Sequence, residues 1–138
     1  MALTKDTQLT FEIGDVNAFL VAAATKIFKG SAVGMPTGTG SVTPLIAGDV
    51  FVGFAEDSAD NSAGQEGDVS VRVRRKGNIK ATIAGLTIDT DAGTDVYMSD
   101  ENTFTLTSTS NTFIGRLIRV EAGGTQGIVA FDAPVLKA

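Results

Sequence analysis

The chain contains no cysteine, no histidine and no tryptophan, and Tyr97 is its only tyrosine. The first absence removes disulfides, thiolate nucleophiles and thiolate metal sites. The second removes imidazole bases, Ser-His triads and histidine metal ligands. Any catalysis would have to come from carboxylates, lysines, hydroxyls or Tyr97. With so few large aromatic rings, platforms for stacking sugars or bases are scarce. Proline is also scarce, at 3 residues against 16 glycines and 17 threonines. That balance favours short strands and tight turns over helices. The apolar run Ala18 to Ala24 has the look of a signal segment, but it is too short to span a bilayer. It follows Glu12 and Asp15 and not a basic stretch. It is therefore not read as targeting, and the chain is expected to be made in the cytoplasm with no membrane partner.

What is present points to one folded domain. A chain of 138 residues that is 43% hydrophobic is long enough to bury roughly two thirds of its unfolded surface and too apolar to be disordered throughout. Its 16 acidic and 11 basic residues give a net charge of −5, which repels a polyanion on average. Five of the basic residues (Arg72, Arg74, Arg75, Lys76 and Lys80) fall in the stretch from Gly67 to Ala81. There Val69, Val71 and Val73 alternate with Ser70, Arg72 and Arg74, the period of a strand with one buried face. Lys76-Gly77-Asn78 reads as a turn, so a second strand from Ile79 to Ile83 is expected to return as a hairpin.

Other strands follow from the same cues. Leu9, Phe11 and Ile13 alternate, consistent with an edge strand or with an arm that orders against a partner. Val16 to Lys29 is the one place where a helix is conceivable, yet Ala24 to Phe28 reads as a strand. Val50 to Ala55 is almost wholly apolar, as a strand covered on both faces would be. Val96 to Met98 and Thr103 to Thr107 suggest a second hairpin with Phe104 and Leu106 inward. Asn111 to Val120 is a longer strand in which Gly115 marks a bulge or a close backbone approach. Gly127 to Phe131 closes the sheet. Turns every eight to twelve residues indicate an all-β fold, a small barrel or sandwich of short antiparallel strands and hairpins with an extended N-terminal arm. Residues 1–21 read as that arm or an edge strand, 22–132 as a single β domain and 133–138 as a tail.

Two acidic stretches invite chemistry. Glu56 to Asp68 holds five carboxylates and no basic residue, but lacks the spacing of a calcium loop, so it reads as a flexible solvated loop with no metal. Asp89 and Asp91 are close enough in sequence for a carboxylate pair, but beside Thr90 and Gly93 they read as turn formers. No cofactor site emerges.

The order of several segments resembles tailed-bacteriophage capsid decoration (cement) proteins. Ala22 to Gly30 resembles that family's opening strand and glycine, and Ile46 to Glu56 its central strand. Asp60-Asn61 with Gly64 to Val73 resembles its glycine-rich loop and alternating strand. Asp95 to Asp100 followed by Thr103 to Thr107, then Phe113 to Leu117 and Gly127 to Phe131, resemble the closing strands. The likeness spans about residues 22 to 132 and departs from the family at Met1 to Val21. It implies a small, often trimeric β-barrel protein on the virion exterior, bound to the major capsid protein between capsomers and stabilising the shell, with no catalytic residues. The contacts expected to serve it are Leu9, Phe11, Ile13 and Phe19, with Arg72, Arg74, Arg75 and Lys76 facing acidic groups of the capsid or of a sister subunit. Two rival readings exist: an adhesin-like module of a phage tail or fibre, and a small trimeric nucleotide hydrolase, faintly suggested by Ala84 to Asp89. The hydrolase reading lacks the glycine-rich phosphate-binding segments that such an enzyme needs. Nucleic-acid binding lacks interleaved aromatics around the basic stretch.

Overall fold

The computed structural model describes Lys5 and residues 15–133. Among them every regular element is a strand, twelve in all. An open sheet joins β1 (Val16–Leu20), β7 (Ser70–Arg74), β5 (Val50–Ala55), β3 (Ala32–Met35) and β4 (Thr43–Pro44) in that order. A closed barrel joins β10 (Thr103–Thr105), β8 (Lys76–Ala84), β12 (Gln126–Asp132), β11 (Thr112–Val120) and β9 (Asp95–Asp100). A ribbon of β2 (Thr25–Ile27) and β6 (Ala59–Asn61) completes the fold. The pairs are antiparallel except for β10 beside β8, together with an isolated parallel bridge from Val21 to Val42. The all-β barrel expected from the turn spacing is the observed class. β1 is an edge strand of the open sheet, while residues 1–4, 6–14 and 134–138, with most of the expected arm and tail, lie outside the described residues.

Two apolar cores lie on either side of β5. Val96, Met98, Ile114, Leu117, Val129 and Phe131 fill the barrel together with Phe51 and Phe54. Val21, Ile27, Val33, Val52, Val71 and Val73 fill the space against the ribbon. A regular strand would alternate faces and send Phe51 and Phe54 apart. The register instead slips from Val33↔Gly53 to Gly34↔Phe51, skipping Val52. This bulge turns both phenylalanines to the barrel and Val52 to the other core. β5 is thus buried on both faces, as its composition suggested.

The hairpin expected at Lys76-Gly77-Asn78 does not form. Those residues continue the strand, pairing with Asp132, Phe131 and Ala130 of β12. β7 and β8 make one run that changes sheets at Arg75, its inward residues serving the ribbon-side core before it and the barrel after it. The period of two is unbroken through the change, and Gly77, at φ 150°, relaxes the backbone without reversing it.

The second hairpin, the close approach at Gly115 and the strand after Ala24 form as expected, whereas the acidic stretch from 56 to 68 contains a strand and is not simply a loop. β9 and β10 form the second hairpin, with Phe104 opposite Met98 and with Phe104 and Leu106 packed on the barrel core. Gly115 is both bulge and close approach: the register shifts there, and a Cβ would sit 2.2 Å from the Ala130 carbonyl oxygen. Ala24 to Phe28 contains β2, and no helix forms among the described residues from 16 to 29. In the turn after β8 the side-chain hydrogen bonds come from threonine and not from the aspartates. Thr87 N–H donates to Thr90 Oγ1, and Thr94 Oγ1 donates to the Asp91 carbonyl.

The acidic stretch after β5 is organised around Asn61, 2% exposed. Its amide is shared among the carbonyls of Val21 (3.3 Å), Ala22 (2.9 Å) and Gln65 (2.9 Å). An alanine there would strand buried acceptors, so Asn61→Ala is expected to cost about 2–4 kcal/mol. Urea unfolding checks this through a lowered midpoint at unchanged slope.

Candidate interaction surfaces

The outer face of β7 presents Ser70, Arg72 and Arg74 because Val71 and Val73 are drawn into the core. Both arginines are answered within the same chain. Arg72 Nε lies 3.2 Å from Asp57 Oδ2, and Arg74 Nε pairs with Glu56 Oε1. Lys26 reaches Asp60 at 4.0 Å. The basic stripe and the acidic stretch are thus each other's partners in one molecule, because β5 and β7 pair antiparallel and deliver Glu56 beside Arg72. The same acidic stretch that was expected to face a sister subunit thus already meets both arginines within its own chain. Such exposed pairs contribute only about 0–1 kcal/mol each.

Arg75 does something different. Its N–H donates to the Asp15 carbonyl (2.7 Å), and its own carbonyl accepts from Ala133 N–H (2.8 Å). Its guanidinium donates to the Ala133 carbonyl and to Asn17 Oδ1. The two ends of the stretch from 15 to 133 are therefore clasped on either side of one arginine. Lys76 next to it is exposed and stands opposite Asp132. Phe19 is half-buried against the ribbon-side core. Leu9, Phe11 and Ile13 lie outside the described residues.

Sequence reasoning missed an aromatic ladder on the outside of the barrel. Phe113 faces Tyr97 across β11 and β9, with ring centroids 5.8 Å apart and edge to face. The Arg116 guanidinium lies over Phe113 at 5.6 Å and holds Asp95 Oδ1 at 2.9 Å. Phe113 remains 47% exposed. Tyrosine, phenylalanine and arginine in one exposed cluster have the composition of a protein-contact centre. The signal was weak because Phe113 and Ile114 look alike as apolar residues, and only the bulge at Gly115 decides which one turns outward. Phe28, 63% exposed, lies under Lys26 Nζ at 5.0 Å and borders a shallow depression shared with Glu101 and Asn102.

Three aspartates tie turns to pH. The N–H of Asn102 donates to Asp100 Oδ1 and holds that carboxyl below the usual carboxylate range. The hydroxyl and N–H of Ser62 do the same for Asp60. A depressed folded-state pKa gives stability that is present above the unfolded value and lost as pH falls through the folded one. Asp49 has the opposite sign. Burial pushes its carboxyl up, against the N–H donated by Ile46, so protonation relieves a cost. Thermal melts are expected to show Asp100→Asn losing less stability than the unsubstituted chain as pH falls through the acidic range of free carboxylates, and Asp49→Asn gaining stability at neutral pH. No group of three or more metal-ligating side chains occurs among the described residues, and no helix among them is long and apolar enough to cross a membrane. No protein-family model and no curated protein matches this chain.

Proposed function

We propose that this chain is a structural decoration protein of tailed-bacteriophage heads. It binds the major capsid protein on the outside of the shell, between capsomers, as a homotrimer, and stabilises the shell without catalysis. The order of segments from Ala22 to Phe131 motivates the proposal, and one observation in the fold carries it. Arg75 clasps Asp15 and Ala133 together, so residues 15 and 133, at the two ends of the β domain, meet at one pole. A body with its ends gathered in this way suits attachment through terminal segments. Threefold symmetry would then multiply each weak contact.

The charges of β7 are answered internally, so attachment depends on apolar contact from Leu9, Phe11 and Ile13 and not on the arginine stripe. Deleting residues 1–14 is expected to abolish co-sedimentation with capsid shells while leaving the melting temperature of the domain nearly unchanged. Reversing the charge at Arg72 is expected to change attachment little. The proposal fails if the full chain does not bind shells or make them more resistant to disruption, if the truncated chain binds as well as the full one, or if purified protein turns over nucleotides.

A further inference from the structure

Among the described residues one edge of β8 is unpaired over part of its length. Its odd-numbered residues face β12: the Arg75 carbonyl accepts from Ala133, and Ile83 N–H donates to Thr125, at the ends of a ladder from Lys76↔Asp132 to Thr82↔Gln126. Backbone groups alternate sides along a strand, so the even-numbered residues face the other edge. At one end of that edge β5 pairs no further than Arg74. At the other, β10 takes up only Ile83 and Ala84, with Leu106 N–H donating to the Ala84 carbonyl. Between these points, the N–H and C=O groups of Asn78 and Lys80 have no partner among the described residues. Lys80 borders a groove lined also by Ile79 and Phe104 and by Gly30 and Asn102.

Charge marks the same place. Of the four lysines between 15 and 133, Lys26 is paired with Asp60, and Lys29, Lys76 and Lys80 have no salt-bridge partner among the described residues. Lys76 stands opposite Asp132. Lys80 borders the groove, and Lys29 borders the depression that adjoins it through Gly30 and Asn102. In a chain of net charge −5, Lys80 on this edge and Lys29 at the adjoining depression, which Glu101 also lines, are lysines without a salt bridge among the described residues.

We propose that this edge accepts an extended acidic segment of another protein chain, added as a strand beside residues 78–82. Main-chain bonds to Asn78 and Lys80 would supply affinity, and alternate side chains specificity. One face of the incoming strand covers Ile79 and Phe104, and the other sets carboxylates beside Lys80 and Lys29. The partner segment therefore alternates apolar and acidic residues. This holds whether or not the partner belongs to a viral shell.

Amide hydrogen exchange tests it on the full chain, with an acetylated heptapeptide of alternating valine and glutamate as the probe and a valine–lysine peptide as its counterpart. In the free protein the Asn78 and Lys80 amides are expected to exchange about 100-fold faster than those of Ile79 and Ala81. The glutamate peptide is expected to slow those two amides about tenfold and the lysine peptide to leave them unchanged. The double substitution Lys29→Glu and Lys80→Glu is expected to reverse the preference. Equal protection by both peptides, or none by either, overturns the proposal. So does strong protection already present in the free chain; if deleting residues 1–14 abolishes it, the chain's own N-terminal segment is the occupant.

Discussion

Gly53→Ala is expected to cost about 3–5 kcal/mol, a large part of the total stability of roughly 5–15 kcal/mol that a domain of this kind has. Two effects add at this position. The backbone sits at φ 132°, where L side chains are strained, and an added Cβ would lie 2.1 Å from the Arg74 carbonyl oxygen and 2.8 Å from Val73 Cγ1. The close approach cannot relax locally, because Arg74 pairs with Phe54 on one side and Val16 on the other. Gly38→Ala separates the two effects. Gly38 also has positive φ, at 87°, but a Cβ there meets nothing within 4 Å. Its alanine variant is expected to lose only the strain of roughly 1–2 kcal/mol. Denaturant unfolding of the two variants side by side is the check; equal losses would mean that β5 and β7 do not approach as closely as described.

Phe54→Ala is expected to cost about 3–5 kcal/mol. Phe54 is 6% exposed, and its ring lies 4.9 Å from that of Phe131, 5.4 Å from Phe51 and 6.0 Å from Phe104. Those three rings belong to β12, β5 and β10, so truncation opens a cavity where the open sheet meets the barrel. Rigid strands on all sides limit its collapse, which places the cost at the upper end of the range. Phe28→Ala, at an exposed ring, is expected to stay within about 0.5 kcal/mol. A Phe54 variant as stable as the Phe28 variant would mean that the open sheet and the barrel do not share a core.

Local strand chemistry was readable where side-chain period and turn composition act alone. β7, β9, β11 and β12 were legible from alternation bounded by glycine, asparagine and aspartate. The double-sided burial of β5 was legible from its lack of polar residues. The hairpin at Lys76 was misread because Gly and Asn mark a bend without saying whether the chain reverses. That outcome depends on whether β12 arrives to pair with β8. For the same reason the internal partners of the arginine stripe were not legible: Glu56 is 18 residues from Arg74 and Asp57 is 15 from Arg72, and they become adjacent only once β5 lies beside β7.

By itself the sequence determined that the chain is all-β and rich in short strands, and that no thiol or imidazole chemistry is open to it, since those properties follow from residue type and spacing. Only the tertiary structure decided which strands pair, which charges are satisfied and which edge is left open. Those are relations between distant segments, and pairing energy depends on what the partner strand presents as much as on the strand itself.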